Sequence, residues 1–260
     1  MKIATYNVWN ENKGRGDRFD QLVQEIRSVQ ADVIGLQEVT PHFYESRLRE
    51  GAGYLYSYFE KYGEEEEGLA FLSKYPLSST NHLYVESADS HGLEVFVETG
   101  GCRFLLTNVH LPWNSALRQE RLIVNMDLYI HKRMEEEQVD FCLLLGDFNG
   151  SLNSSVHRYL LGEQTLEGYE ANPYWFELSS TYAALQGEPL RPTLDFRSNP
   201  RWEGKNTREI PIPADRIYCM DSRYEIDLRK TGLFGTEISP LNGLCASDHY
   251  GLWAELDFKK

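Results

Sequence analysis

An α/β fold is predicted, and three features of the sequence predict it. The first 45 or so residues alternate strand-like and helix-like periodicity. Residues 54–110 form a series of short strand-like runs between turn residues. A long amphipathic stretch near 115–137 then leads into a wholly apolar strand. The length, 260 residues, suits one large domain spanning 1–260.

The elements follow in order. Residues 3–7 alternate as a strand. Asp17 opens a helix whose Phe19, Leu22, Val23, Ile26 and Val29 recur at helical spacing. Residues 32–38 are apolar almost throughout, the pattern of a strand buried on both faces. Pro41 begins a second helix, because proline's fixed φ suits a first turn. The runs 54–59, 68–72, 77–85, 93–98 and 103–110 are short, and their Gly, Pro and Asn punctuation predicts antiparallel pairing. A helix over 115–137 and a buried strand over 141–146 come next. Residues 170–214, rich in Pro, Trp, Asn and Arg, predict a long ordered loop region. Strands return at 216–219 and 252–258.

Composition narrows the function. With 26 basic and 40 acidic residues the formal charge is −14, which disfavours binding to long duplex DNA, where phosphate neutralisation dominates affinity. A substrate containing phosphate stays compatible if a bound metal inverts the local charge. No segment reaches the roughly 20 apolar residues of a membrane span, so stable membrane insertion is not expected. The N-terminus lacks the layout of a secretory signal. Cys102, Cys142, Cys219 and Cys245 are widely spaced with no CxxC pair, which predicts buried free thiols, a reducing compartment and a cytoplasmic location. A structural zinc centre is the weaker alternative, since ligand spacing is lacking. The run Glu64–Glu67 reads as a solvated loop.

Six strand-end segments carry the chemistry: Thr5-Tyr6-Asn7, Leu36-Gln37-Glu38, Asn108-Val109-His110, Gly146-Asp147-Phe148-Asn149, Asp215-Arg216-Ile217-Tyr218 and Ser247-Asp248-His249. Each has an ordinary explanation as a turn, a helix-start charge or a core histidine. Together they suggest one convergent site at a sheet rim, able to hold a hard divalent cation and handle a proton. Magnesium takes oxygen ligands and is held by one or two carboxylates; Glu38 and Asn7 have that character. Asp147 and Asn149, two residues apart, face one side of the chain. His249 is the type of side chain that titrates near neutrality, and a base needs an orienting partner, for which Asp215 is a candidate. His110 suits hydrogen-bond donation to a phosphate oxygen. In the long loop, Arg191, Arg197, Arg201, Lys205 and Arg208 accompany Tyr174, Trp175 and Trp202. Of these, Arg191, Arg197 and Trp202 are candidates for binding a phosphate and stacking a base or sugar, against a reading of plain aromatic packing.

The segments in this order resemble the endonuclease/exonuclease/phosphatase (DNase I-like) superfamily from Asn7 to His249, and Glu67-Gly68-Leu69-Ala70-Phe71-Leu72-Ser73-Lys74-Tyr75-Pro76-Leu77 resembles a further stretch of it. The resemblance implies a four-layer α/β sandwich, two mixed sheets face to face with helices outside, and metal-dependent cleavage of a phosphoester. It implies that Glu38 binds Mg²⁺, with Mn²⁺ as an alternative and with Asn7 and Asp248 close by. It implies that Asp147 and Asn149 orient the attacking water and a phosphate oxygen, that His249 is the catalytic histidine held by Asp215, and that His110 contacts the scissile phosphate. Whether Asp147 or His249 takes the water's proton is left open. AP endonucleases commonly carry Tyr at the place of His110 and an acid at that of Trp9, so that branch is disfavoured. The expected substrate is a small or single-stranded nucleic-acid or nucleotide-type phosphate ester. A lipid phosphodiesterase or phosphatase and an inactive binding module are the alternatives.

Overall fold

The computed structural model describes residues 1–10, 18–62, 66–83, 92–203, 208–220, 222 and 224–260. Its strands are β1 (Lys2–Asn7), β2 (Val33–Val39), β3 (Tyr56–Lys61), β4 (Gly68–Ser73), β5 (Leu77–Leu83), β6 (Gly92–Thr99), β7 (Cys102–His110), β8 (Phe141–Asp147), β9 (Trp175–Glu177), β10 (Asp215–Met220), β11 (Glu225–Phe234) and β12 (Gly251–Lys259). They form two six-stranded mixed sheets, in the orders β11-β12-β1-β2-β4-β3 and β5-β6-β7-β8-β10-β9.

Each sheet has one parallel pair at its centre, β1 with β2 and β7 with β8, flanked by antiparallel neighbours. This topology decides where the chemistry sits. Parallel partners end at the same rim, so Asn7 and Glu38 emerge together on one sheet and His110 and Asp147 on the other. Antiparallel neighbours begin at that rim, which brings Asp215 opposite Asp147 and places the Ser247-Asp248-His249 turn just ahead of β12.

Strand alternation builds three apolar layers. Ile3, Val33, Phe71, Leu106, Leu143, Ile217 and Leu252 fill the space between the sheets. Ala4, Tyr6, Ile34 and Leu36 face outward and are covered by the helix Phe19–Ser28 and the helical segment 41–51. Leu105, Leu144 and Tyr218 are covered by the helices Ala116–Glu137 and Ser155–Leu160. The result is the expected four-layer sandwich. The start of the first helix at Asp17 and the residue Lys205 lie outside the described residues.

A polar bolt joins the sheets below the rim. Buried Gln37 donates to Thr5 Oγ1 (3.0 Å) and to Asn108 Oδ1 (2.6 Å), and Asn108 donates to the carbonyls of Leu36 (3.0 Å) and Ala70 (3.1 Å). The close approach requires glycine at 35, where a Cβ would collide with Leu145 and crowd the Asn108 amide.

Two expectations need correction. The region 170–214 is not a plain loop: it contains β9, the helix Leu178–Gln186 and a 3₁₀ turn at Pro200–Trp202. Glu177 starts that helix by accepting from the Ser179 and Ser180 amides, a carboxylate cap on a short segment with little periodicity. Strand β11 is absent from the expected list because it is a charged edge strand with a register shift at Leu228/Lys230, which interrupts its alternation.

One buried titratable group behind the site makes the fold sensitive to acid. His157 is 5% exposed, with Nδ1 2.8 Å from the Tyr218 hydroxyl. Burial, helped by the nearby Arg216 charge, pushes its imidazole down to about 4. The unfolded chain binds a proton near pH 6.5, before the native state does. The stabilisation is therefore complete above roughly pH 6.5 and is lost as pH falls toward about 4. Urea unfolding of wild type and His157→Gln should show wild type losing about 2–3 kcal/mol more than the variant between roughly pH 8 and pH 4.5. Parallel pH profiles for the two proteins would refute this.

Candidate active site

The rim opens into a cavity of about 830 Å³ whose lining includes Trp9, Glu38, Tyr62, His110, Asp147, Asn149, Trp202, Asp248 and His249. Asp147 is its hub. It is 1% exposed, ends β8, and receives the Asn149 amide on Oδ1 (2.8 Å) and the Asn7 side-chain amide on Oδ2 (3.0 Å). The same Oδ2 lies 3.7 Å from His110 Nε2 and 3.8 Å from His249 Nε2.

Local backbone aims the other groups. β2 and β4 lose register between Leu36 and Val39, and Glu38 there has φ +56°, so a bulge turns its carboxylate into the cavity. Asn7 donates to Glu38 Oε1 (3.2 Å) as well as to Asp147, while its Oδ1 accepts the Trp9 amide (2.8 Å). Asn149 (φ +46°) and Trp9 (φ +54°) are also left-handed. Three such non-glycine residues around one cavity mark a backbone held against its preference. Asn149 donates to the Leu111 carbonyl (2.9 Å) and accepts Gln119 Nε2 on its own carbonyl (3.2 Å).

His249 is clamped from behind. Its Nδ1 is 2.8 Å from Oδ2 of fully buried Asp215, whose amide donates to Thr193 Oγ1 (2.9 Å). Burial opposes the imidazolium, but the Asp215, Asp147 and Asp248 carboxylates outweigh it and hold His249 well above the ordinary histidine range. Asp248 is buried beside Glu38 and Asp147. Burial first, and then those two carboxylates, push it up to about 6 against the opposing pull of His249 and Arg18. Asp147, Asp215 and His249 place ligand-type atoms within 4.8 Å of one another.

The eight strand-end residues therefore come together: six line the cavity, while Asn7 and Asp215 stand directly behind them. The loop candidates divide. Trp202 lines the cavity, held by Nε1 donation to the Asp248 carbonyl (3.1 Å) and an edge contact with Phe196. Arg191 and Arg197 are exposed and lie outside the lining, because the loop carries them outward. Arg201 is buried, donating to the Cys245 carbonyl, and Trp175 is buried with its indole on Asp127. Tyr62, Trp113 and Arg118 also line the cavity.

Two mixed sheets packed face to face between helices, with acids and histidines gathered on one rim, define the DNase I-like class of α/β sandwich. The chain belongs to the Endonuclease/Exonuclease/phosphatase family, whose model matches residues 4–249. Solved structures agree in fold. A truncated TDP2 from Caenorhabditis elegans is 14% identical with a TM-score of 0.77, covering 100% of this chain and 98% of that one. A functionally unknown conserved protein from Enterococcus faecalis V583 is 21% identical with a TM-score of 0.75 and covers 100% of both. The human nocturnin catalytic domain, solved with bound sulfate, is 15% identical with a TM-score of 0.70, covering 100% and 94%. No curated protein sequence matches the chain.

Proposed function

We propose that this protein is a divalent-metal-dependent phosphodiesterase acting on small or single-stranded nucleic-acid or nucleotide-type phosphate esters. The observation that carries the reading is the convergence of His110, His249 and Asn7 on one oxygen of Asp147, with Glu38 tied to the same Asn7 amide.

The donor set suits Mg²⁺ or Mn²⁺. Glu38, Asp147 and Asp248 supply hard oxygen atoms, and the carboxyl of Asp248 is pushed up partly by the other two, a repulsion that a cation would relieve. Glu38 would hold the ion, with Asn7 and Asp248 beside it. When bound, the ion polarises a phosphoryl oxygen and offsets its growing charge. The chain's own residues do the rest. Asp147 and Asn149 position a water in line with the scissile bond, Asp215 orients His249 for proton transfer, and His110 donates to a non-bridging oxygen.

The walls bear on the substrate. Trp113, Phe196 and Trp202 bring aromatic rings to the lining on which a base can stack, and among the described lining residues Arg118 is the only Lys or Arg, against Glu38, Glu67, Asp147, Glu209 and Asp248. That balance favours an ester that brings few phosphates into the cavity at once, as a small molecule or one single strand does. TDP2 from D. rerio, 17% identical with a TM-score of 0.73, was solved with a single-strand DNA product, which accords with this preference. Among the described residues no helix is long and apolar enough to cross a membrane. All four cysteines are buried and free, which supports a cytoplasmic setting.

The test is hydrolysis of bis-p-nitrophenyl phosphate, a single-stranded oligonucleotide, duplex DNA and sphingomyelin, each with Mg²⁺ and with EDTA. Cleavage of the first two, abolished by EDTA, is expected. Cleavage of sphingomyelin alone would overturn the substrate class, and cleavage of none would favour a binding module.

A further inference from the structure

His110 is held by a residue with no assigned role. Tyr62 follows β3, is 2% exposed, and is anchored by its amide on the Glu67 carbonyl (2.9 Å). Its hydroxyl is 3.1 Å from His110 Nδ1, with the two rings tilted at 50° and 6.0 Å apart. The nitrogen across the ring, Nε2, faces Asp147 Oδ2, an oxygen that can only accept. His110 Nδ1 therefore presents its lone pair to the phenol proton. A neutral imidazole carries one proton, so that proton sits on Nε2, the nitrogen facing the cavity 3.7 Å from Asp147 Oδ2.

His249 is backed by a different partner. The acceptor at its Nδ1 is a carboxylate, Asp215, so Nδ1 carries the proton there. Both histidines thus turn Nε2 toward one oxygen of Asp147, His110 backed by a phenol and His249 by a carboxylate.

We infer that Tyr62 is a positioning residue that fixes His110 as an Nε2–H donor aimed at the substrate's non-bridging phosphate oxygen. The inference rests on the phosphodiesterase reading for its catalytic consequence, but not for the ring polarity itself. Outer partners of this kind are typically worth about 10- to 100-fold.

The test has two arms, run on the full-length protein with Mg²⁺ present. In the first, ¹⁵N-labelled histidine spectra are recorded at about pH 8, where an ordinary imidazole is neutral. Wild type should show His110 with Nε2 protonated, and Tyr62→Phe should move it toward a mixture of tautomers. An Nδ1-protonated or doubly protonated ring in wild type, or no change in the variant, would overturn the inference, whether or not any substrate is cleaved. In the second arm, Tyr62→Phe should lower kcat on bis-p-nitrophenyl phosphate by about 10- to 100-fold with KM within about twofold. In a His110→Gln background, whose amide places an N–H near Nε2 without any tautomer to set, the same substitution should cost less than about twofold. Equal losses in both backgrounds would show that Tyr62 acts only through packing. Failure of wild type to hydrolyse any phosphoester would instead overturn the catalytic consequence together with the phosphodiesterase reading, with the spectra still deciding the ring polarity.

Discussion

Replacing Glu38 by Gln is expected to lower kcat by about 10³-fold, with most of the loss appearing as a weakened dependence on Mg²⁺. The substitution keeps the shape and the Asn7 contact but removes the charge that a divalent ion needs. The bulge that turns Glu38 into the cavity is a backbone feature, so folding should be little affected. Initial rates across Mg²⁺ concentration, with thermal unfolding as the control for structure, check this. A variant with wild-type rate at every concentration would remove Glu38 from the metal site.

His249→Ala should lose about 10²–10⁴-fold, the range for a positioned acid–base group. Asp215→Asn should lose a comparable amount although it never touches substrate, because the 2.8 Å contact to Nδ1 is what orients the ring. The double variant should be scarcely worse than either single one, since the pair acts as a unit. Kinetics of the three variants on one substrate give the answer. Additive losses would mean that Asp215 and His249 act separately.

The main-sheet strands and the strand-end candidates were legible for a common reason. Apolar runs such as 141–146 declare a buried strand, and a polar group at its end is a local fact. What the sequence could not supply was the convergence. That comes from the parallel pairs β1/β2 and β7/β8, which deliver four strand ends to one rim, and from Gly35 and Asn108, which bring the rims together. Arg191 and Arg197 stand outside the cavity lining because their position depends on the path of a loop, not on a period. Tyr62 was invisible because its partner His110 is 48 residues away, and the contact exists only once the hairpin β3–β4 is packed beside the rim. β11, with its charges and bulge, hid its alternation in the same way that edge strands avoid pairing with other molecules.

The most direct measurement is the anomalous scattering of Mn²⁺ in crystals of the full-length protein grown with that ion. The predicted result is a peak at coordinating distance from the Glu38 carboxylate, on the cavity side, beside Asn7 and Asp248, which disappears in Glu38→Gln crystals. Hydrolysis in the presence of Mn²⁺ with no peak at Glu38 would contradict the assignment of this rim as the metal site.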